Sequence, residues 1–193
     1  MKIVEEPLSL SRLAEHGTVP IAFEVCTRLR PVPSESGPGG IRLVEEPVDP
    51  PYLKDYDATS EEGPARWLRR WDWDTSAWGL LASYEGSRRV GGAVLARRTA
   101  NVNMLEGRDD LAVLWDFRVH PDCRGAGVGR RLFEASVEWA RRHGCVEMKI
   151  ETQNTNVPAC RFYARQGCRL SAIIERAYAE FPEEIQLIWR LPL

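Results

Sequence analysis

The segment Val119-His-Pro-Asp-Cys-Arg-Gly-Ala-Gly-Val-Gly-Arg-Arg-Leu132 constrains this chain more than any other. An alternating run, LAVLWDFRV (111–119), leads into it, with Leu111, Val113, Trp115, Phe117 and Val119 apolar at every odd position. That alternation predicts a strand, and Leu114 predicts that the other face is partly buried too. Beyond the glycines, Val128, Leu132, Ala135, Ser136, Trp139 and Ala140 recur at helical spacing up to His143-Gly144, the pattern of a helix with a glycine C-cap. A strand, a turn holding Gly125, Gly127 and Gly129, and an amphipathic helix therefore follow one another directly. Glycines let the backbone approach a ligand closely, and the free N–H groups of a helix start favour an anion. Between Arg118 and Arg142 six arginines face Asp122, Glu134 and Glu138, a local charge of +3 in a chain whose net charge is −2. A diphosphate suits this arrangement. The bland alternative is a turn that only caps a helix.

Spacing narrows the ligand. A nucleotide-binding P-loop needs GxxxxGK followed by Ser or Thr, and no glycine here precedes a lysine. Lysine is scarce altogether: Lys2, Lys54 and Lys149 stand against 23 arginines, a skew that codon usage accounts for. The dinucleotide fingerprint GxGxxG fails as well, because counting from Gly125 and Gly127 its third glycine would fall on Arg130. The five cysteines form no CxxC pair and the three histidines are scattered, so neither a metal site nor a disulfide framework is expected. No apolar run approaches the ~20 residues of a membrane span, and MKIVEEPLSL lacks a signal-peptide core, so a cytoplasmic location is expected. The near-neutral charge argues against nucleic acid as a partner.

The remaining pattern predicts an α/β fold built on a mixed sheet. Residues 1–50 read poorly, with short strands over 21–32 and 41–48 flanking a Pro/Ser/Gly loop at 33–40. A helix is predicted over 60–71, with Trp67 and Trp71 at i,i+4, then a hairpin of 78–86 and 88–99 turning at Gly86. VEMKIET (146–152) is a strand, Asn156 an N-cap for a helix with Pro158 in its first turn, and 168–176 and 184–191 two closing strands. No composition break separates a second domain, so 1–193 is expected to be one domain, with 1–77 variable and 78–191 its core.

The turn resembles motif A of the GNAT superfamily of acetyl-CoA-dependent N-acetyltransferases. The usual form is Gln/Arg-x-x-Gly-x-Gly/Ala, and Arg124, Gly127 and Gly129 occupy those places. A second block, ETQNTNVPACRFYARQGC (151–168), resembles motif B of that superfamily, with Asn156, Ala159, Tyr163 and Gly167 at the expected spacings. Cys168 departs from it, since an aromatic residue is commoner there. The resemblance covers roughly 78–191 and is closest to streptothricin acetyltransferases and ribosomal-protein alanine acetyltransferases. It implies a GNAT-like sheet splayed at the cofactor strand, with helices on both faces. It also implies acetyl-CoA as co-substrate, with its pyrophosphate on Arg124, Gly125, Ala126, Gly127, Val128, Gly129 and Arg130. The strand Asp116, Phe117, Arg118 and Val119 would hold the pantetheine arm along its edge, as a peptide pairs with a strand. Asn156 and Tyr163 complete the implied cofactor set. A bulge would part the strand from 146–152, at a position the sequence does not disclose.

Acetyl transfer needs a neutral amine, a donor for the thioester oxygen and a proton for the leaving thiolate. Tyr163 suits the last task, being protonated at neutral pH; otherwise it is a half-buried helix tyrosine. Two carboxylates compete as base. Glu151 ends a strand, and its counterpart is the base in some ribosomal-protein acetyltransferases. Asp116 sits on an otherwise apolar strand, where a carboxylate is costly unless paired or functional. The balance favours Glu151, with a salt bridge to an arginine as the alternative for each. Trp67, Trp71, Trp73 and Trp78 form either core or an aromatic wall for an amine. Tyr178, Glu180, Glu183 and Glu184 either draw a cationic acceptor or form a solvated turn. The function expected is acetylation of a primary amine on a small molecule, such as a cationic antibiotic, by direct attack. The alternatives are acetylation of a protein N-terminus and a non-catalytic acyl-CoA sensor. The terminal strand leaves room for a homodimer.

Overall fold

A computed structural model describes residues 1–35, 40–58 and 62–193. In chain order its strands and α-helices are β1 (Lys2–Glu6), α1 (Leu10–Gly17), β2 (Phe23–Pro33), β3 (Ile41–Lys54), β4 (Gly79–Glu85), β5 (Arg88–Ala96), β6 (Leu111–Val119), α2 (Val128–Arg142), β7 (Glu147–Gln153), α3 (Val157–Arg165), β8 (Arg169–Glu175) and β9 (Ile185–Pro192). They divide between two units, one of Met1–Ile21, Asp55–Ile150 and Arg190–Leu193, the other of Ala22–Lys54 and Glu151–Trp189.

In the first unit the strands lie in the order β1-β4-β5-β6-β7. The first three pairings are antiparallel and β6/β7 is parallel. The sheet is therefore mixed, as predicted. β4 and β5 meet across the short turn at Gly86, whose φ of +59° is a conformation glycine adopts without strain. A parallel neighbour cannot be reached by a hairpin, so β6 connects to β7 through α2. Val128, Leu132, Phe133, Ser136, Trp139 and Ala140 are the buried stripe of that helix. Successive glycines on β5 show which layers cover the sheet. A Cβ on Gly91 would lie 3.6 Å from Leu132 of α2, and one on Gly92 would lie 2.4 Å from His16 of α1. Neighbouring strand residues face opposite sides, so α2 and α1 cover opposite faces. Leu13, Trp67, Trp78, Leu80, Val94, Ala96 and Val113 fill the core on one side.

The second unit holds the antiparallel ribbon β2/β3, paired from Phe23↔Lys54 to Pro33↔Ile41. It also holds the end of β7, with strand order β7-β9-β8. Asn154, 2% exposed, joins these parts with four hydrogen bonds. Its N–H donates to Ile185 O and its Oδ1 accepts from Ile185 N, both at 2.9 Å. Its carbonyl accepts from Leu29 N at 2.9 Å, and its Nδ2 donates to Leu29 O at 2.8 Å. Asn156 caps α3 as predicted, its Oδ1 accepting from Ala159 N at 3.2 Å.

Two expectations need amendment, and one falls partly outside the described residues. The helix expected over 60–71 is a 3-10 helix over Gly63–Arg69, and residues 60 and 61 lie outside the described set. A turn of three residues that ends at Arg69 cannot put Trp71 above Trp67: Trp67 is 7% exposed and Trp71 is 96% exposed. The strand expected to stop at 48 runs to Lys54, past Pro50 and Pro51, because the ribbon absorbs them in an irregular register between Val25 and Thr27. Residues 36–39 of the loop expected at 33–40 lie outside the described set. Among the described residues no helix is long and apolar enough to cross a membrane.

A Cβ on Gly79 would lie 2.4 Å from Cε2 of the buried Trp139. Gly79→Ala is expected to cost about 1–3 kcal/mol by overpacking, seen as a Tm lowered by roughly 2–4 °C per kcal/mol in thermal unfolding.

Candidate active site

The turn between β6 and α2 is built from below. His120 N donates to Val90 O at 2.8 Å, and Cys123, Val90, Val128 and the half-buried Val119 pack together. Arg124 Nε donates to Val119 O at 3.1 Å. Above this support Gly125 and Gly127 adopt φ of +78° and +84°. A Cβ at either would meet no atom within 4 Å, so it is backbone conformation that demands glycine here, and the space beside the turn is open. Gly127 is the N-cap of a 15-residue helix and contributes no side-chain bond. The first N–H groups of a helix have no partners within it. Those of Val128, Gly129 and Arg130 are therefore presented as an anion site, which fits a diphosphate.

The strand leading here carries the bulge. Val94 pairs with Asp116 but Leu95 pairs with Leu114, so Trp115 is an extra residue in β6. The pairing of β6 with β7 runs from Leu111↔Glu147 to Leu114↔Ile150 and ends at the same place. Trp115 leaves the ladder and packs among Trp67, Trp73 and Trp78, with ring centroids 6.4, 5.2 and 5.4 Å away. Trp67, Trp73 and Trp78 are thus core, and the fully exposed Trp71 is apart from them. Phe117 stacks edge-on against Phe133 of α2 at 6.4 Å.

Asp116 and Arg118 turn inward. His16 Nε2 lies 2.8 Å from Asp116 Oδ1, and Arg118 donates to both Asp116 oxygens at 2.8 and 2.9 Å. Arg118 also donates to Asp57 Oδ2 and Oδ1 at 2.5 and 3.0 Å. The Asp116 side chain is 7% exposed and Arg118 is 2% exposed. Burial alone would push the Asp116 carboxyl up, but bonds and charge from His16 and Arg118 outweigh it and hold the carboxyl well below the ordinary range. A carboxylate so stabilised is a weak base, and its oxygens are already engaged. The arginine surplus around the turn loses Arg118, which is committed inward; Arg130 bonds Glu134 at 2.9 Å, a carboxylate that the local charge of +3 already subtracts.

In the second unit Glu151 lies on β7 and accepts a hydrogen bond from Tyr178 at 2.7 Å. Tyr163 is 6% exposed on α3, edge-on to Phe162 at 5.3 Å. Glu184 is no solvated turn residue: it is 2% exposed and bonded to Lys54. Burial pushes the Cys160 and Cys168 thiols up to about 11, which leaves neither as a thiolate nucleophile at neutral pH. Among the described residues no His/Cys/Asp/Glu group has a metal-binding arrangement.

The Acetyltransferase (GNAT) family matches residues 48–168. The chain belongs to that family. Streptothricin acetyltransferase A of Bacillus subtilis strain 168 is 35% identical over 80 residues, 40% of this chain and 46% of that protein. A streptothricin acetyltransferase of Escherichia coli is 29% identical over 142 residues, 72% of this chain and 70% of its own length. The chain thus spans about half of the first relative and more than two thirds of the second. The crystal structure of a Bacillus anthracis strain Ames protein assigned as a streptothricin acetyltransferase, in complex with acetyl coenzyme A, superposes with a TM-score of 0.73. It is 23% identical, with 100% of both chains covered. The two chains therefore share one fold.

Sequence reasoning overlooked His16, Asp57 and Asn154. His16 carried a signal, since it lies three residues after the buried Leu13 on one face of α1. Asp57 and Asn154 carried none, because their partners are distant in sequence.

Asp116 stays ionised in the fold to a lower pH than in the unfolded chain. Its stabilisation is complete above the unfolded carboxylate range near pH ~4 and is lost as pH falls through the lower folded value. Asp116→Asn is expected to cost about 3–5 kcal/mol at pH 7. The gap to wild type in urea unfolding should narrow below about pH 4.

Proposed function

We propose that this GNAT-family chain transfers an acetyl group from acetyl-CoA to a primary amine of a small cationic molecule of the streptothricin type, by direct attack. The observation that carries the reading is the start of α2, where two left-handed glycines have open space beside them and no side chain caps the first N–H groups of the helix. The names of the two bacterial relatives support the acceptor class, and the acetyl coenzyme A complex of the Bacillus anthracis protein supports the donor.

In this reading the main chain of Arg124, Gly125, Ala126, Gly127, Val128, Gly129 and Arg130 holds the diphosphate, with the Arg124 and Arg130 side chains adding charge. Phe117 and Val119 offer main-chain groups on β6 to the pantetheine amides. Arg118 lies on the same stretch of main chain, and its side chain is a buried strut whose guanidinium is taken by Asp57 and Asp116. Glu151 is the base and accepts the proton of the acceptor ammonium, whereas Asp116 is held too acidic for that task. Tyr163 is the acid and gives its proton to the departing sulfur. Asn156 contributes by capping the helix that carries Tyr163. Direct attack is preferred to an acetyl-cysteine route because burial keeps the Cys160 and Cys168 thiols protonated.

Tyr163→Phe is expected to lower kcat by roughly 10²-fold or more with the Kd for coenzyme A unchanged; undiminished turnover would remove Tyr163 from the acid role. Gly127→Glu is expected to abolish coenzyme A binding in calorimetry, since it sets a strained residue and a negative charge at the anion site. A panel of amines assayed by released thiol tests the acceptor. Streptothricin-like amines should turn over, and activity confined to peptides with a free N-terminus would point to protein acetylation instead.

A further inference from the structure

Between β8 and β9 the chain makes a loop that is bonded to the ribbon and to Asn154 at its far end. Arg176 starts it in the left-handed region, with φ of +55°, an uncommon conformation for a residue carrying a Cβ. Two successive turns follow, Phe181 N donating to Tyr178 O at 3.2 Å and Glu184 N to Phe181 O at 3.0 Å. At the far end the buried Glu184 is bonded to Lys54, whose ammonium lies 4.8 Å from the centre of the Phe181 ring. Ile185, the next residue, is bonded through both its N–H and its C=O to Asn154. Within this loop Tyr178 is half-buried, and its hydroxyl donates to Glu151 Oε1 at 2.7 Å.

We propose that Tyr178 is a positioning residue for acetyl transfer: its hydroxyl holds one oxygen of the Glu151 carboxylate, so that the other is presented to the acceptor amine. This rests on the reading of Glu151 as the base. A carboxylate on a strand end rotates about its terminal torsions, and one strong donor removes that freedom. A hydrogen bond to a charged group is among the stronger ones a side chain makes. The remaining acceptor capacity of Glu151 is then directed to the incoming ammonium, and the proton it accepts goes to the free oxygen.

The test is a double-mutant cycle on the full chain with Tyr178→Phe and Glu151→Gln, read as kcat and as KM for acetyl-CoA and for the amine. Tyr178→Phe keeps the ring and removes one oxygen from a surface loop, so the folded state and the Tm are retained. Its kcat is expected to fall about tenfold or more, with KM for acetyl-CoA unchanged. In the Glu151→Gln background the same change is expected to cost nothing further, because no base remains to be positioned. A full loss that adds on top of Glu151→Gln would overturn the positioning role while leaving Glu151 as base. So would an unchanged kcat in Tyr178→Phe beside an impaired Glu151→Gln. Undiminished turnover by Glu151→Gln itself would overturn both assignments.

Discussion

An α-helix begins with N–H groups that no residue within it can satisfy. In most helices a serine, threonine or aspartate side chain takes one of them. α2 opens from Gly127, which has no side chain to offer, and the left-handed glycines before it turn the chain without filling the space beside it. The rest of the first unit is arranged to hold that opening still. The Val90 carbonyl anchors His120, a small apolar cluster underlies Cys123, and Arg124 ties back to Val119.

The bulge at Trp115 is the second fixed point. One extra residue in β6 shifts its register against β5 by one position, and at the same place the pairing of β6 with β7 ends, at Leu114. A bulged residue must put its side chain somewhere, and the indole of Trp115 is received by three other tryptophans. That accounts for the tryptophan-rich stretch around 67–78, whose apolar mass anchors a distortion in the strand. Downstream of the bulge Asp116 and Arg118 point inward to His16 and Asp57, tying α1 and the 55–58 segment to the strand that precedes the turn. Breaking one partner of such a buried set is costly, because the others are left charged and unsolvated.

Much of this was legible. β4, β5, β6, α2, β7, α3, β8 and β9 fall close to the segments read from 78–191: α2 buries one clear stripe, and β4 and β5, buried on both faces, read as apolar runs bounded by a glycine turn. The first fifty residues were harder for a physical reason. β1 is five residues long and is defined by pairing with the distant β4, from Lys2↔Tyr84 to Glu6↔Leu80, while α1 is eight residues with a histidine on its buried face. The prolines of β3 announced breaks that the ribbon accommodates instead. Charge arithmetic also misled. A count of residues between 118 and 142 treats six arginines as one field, yet Arg118 is buried in ion pairs with Asp57 and Asp116 and Arg142 bonds Glu5, three carboxylates outside that segment.

By itself the sequence determined the α/β fold, the glycine turn and the family resemblance, because each depends on local spacing: period two in strands, helical period in α2, and fixed intervals between glycines. Only the tertiary structure decided where the bulge falls, that Asp116 and Arg118 are locked to His16 and Asp57, and that Tyr178 meets Glu151. Those contacts join residues up to a hundred positions apart, as His16 and Asp116 are. A chain of side-chain types states which groups can bond, and the packing of sheet and helices selects which of them do.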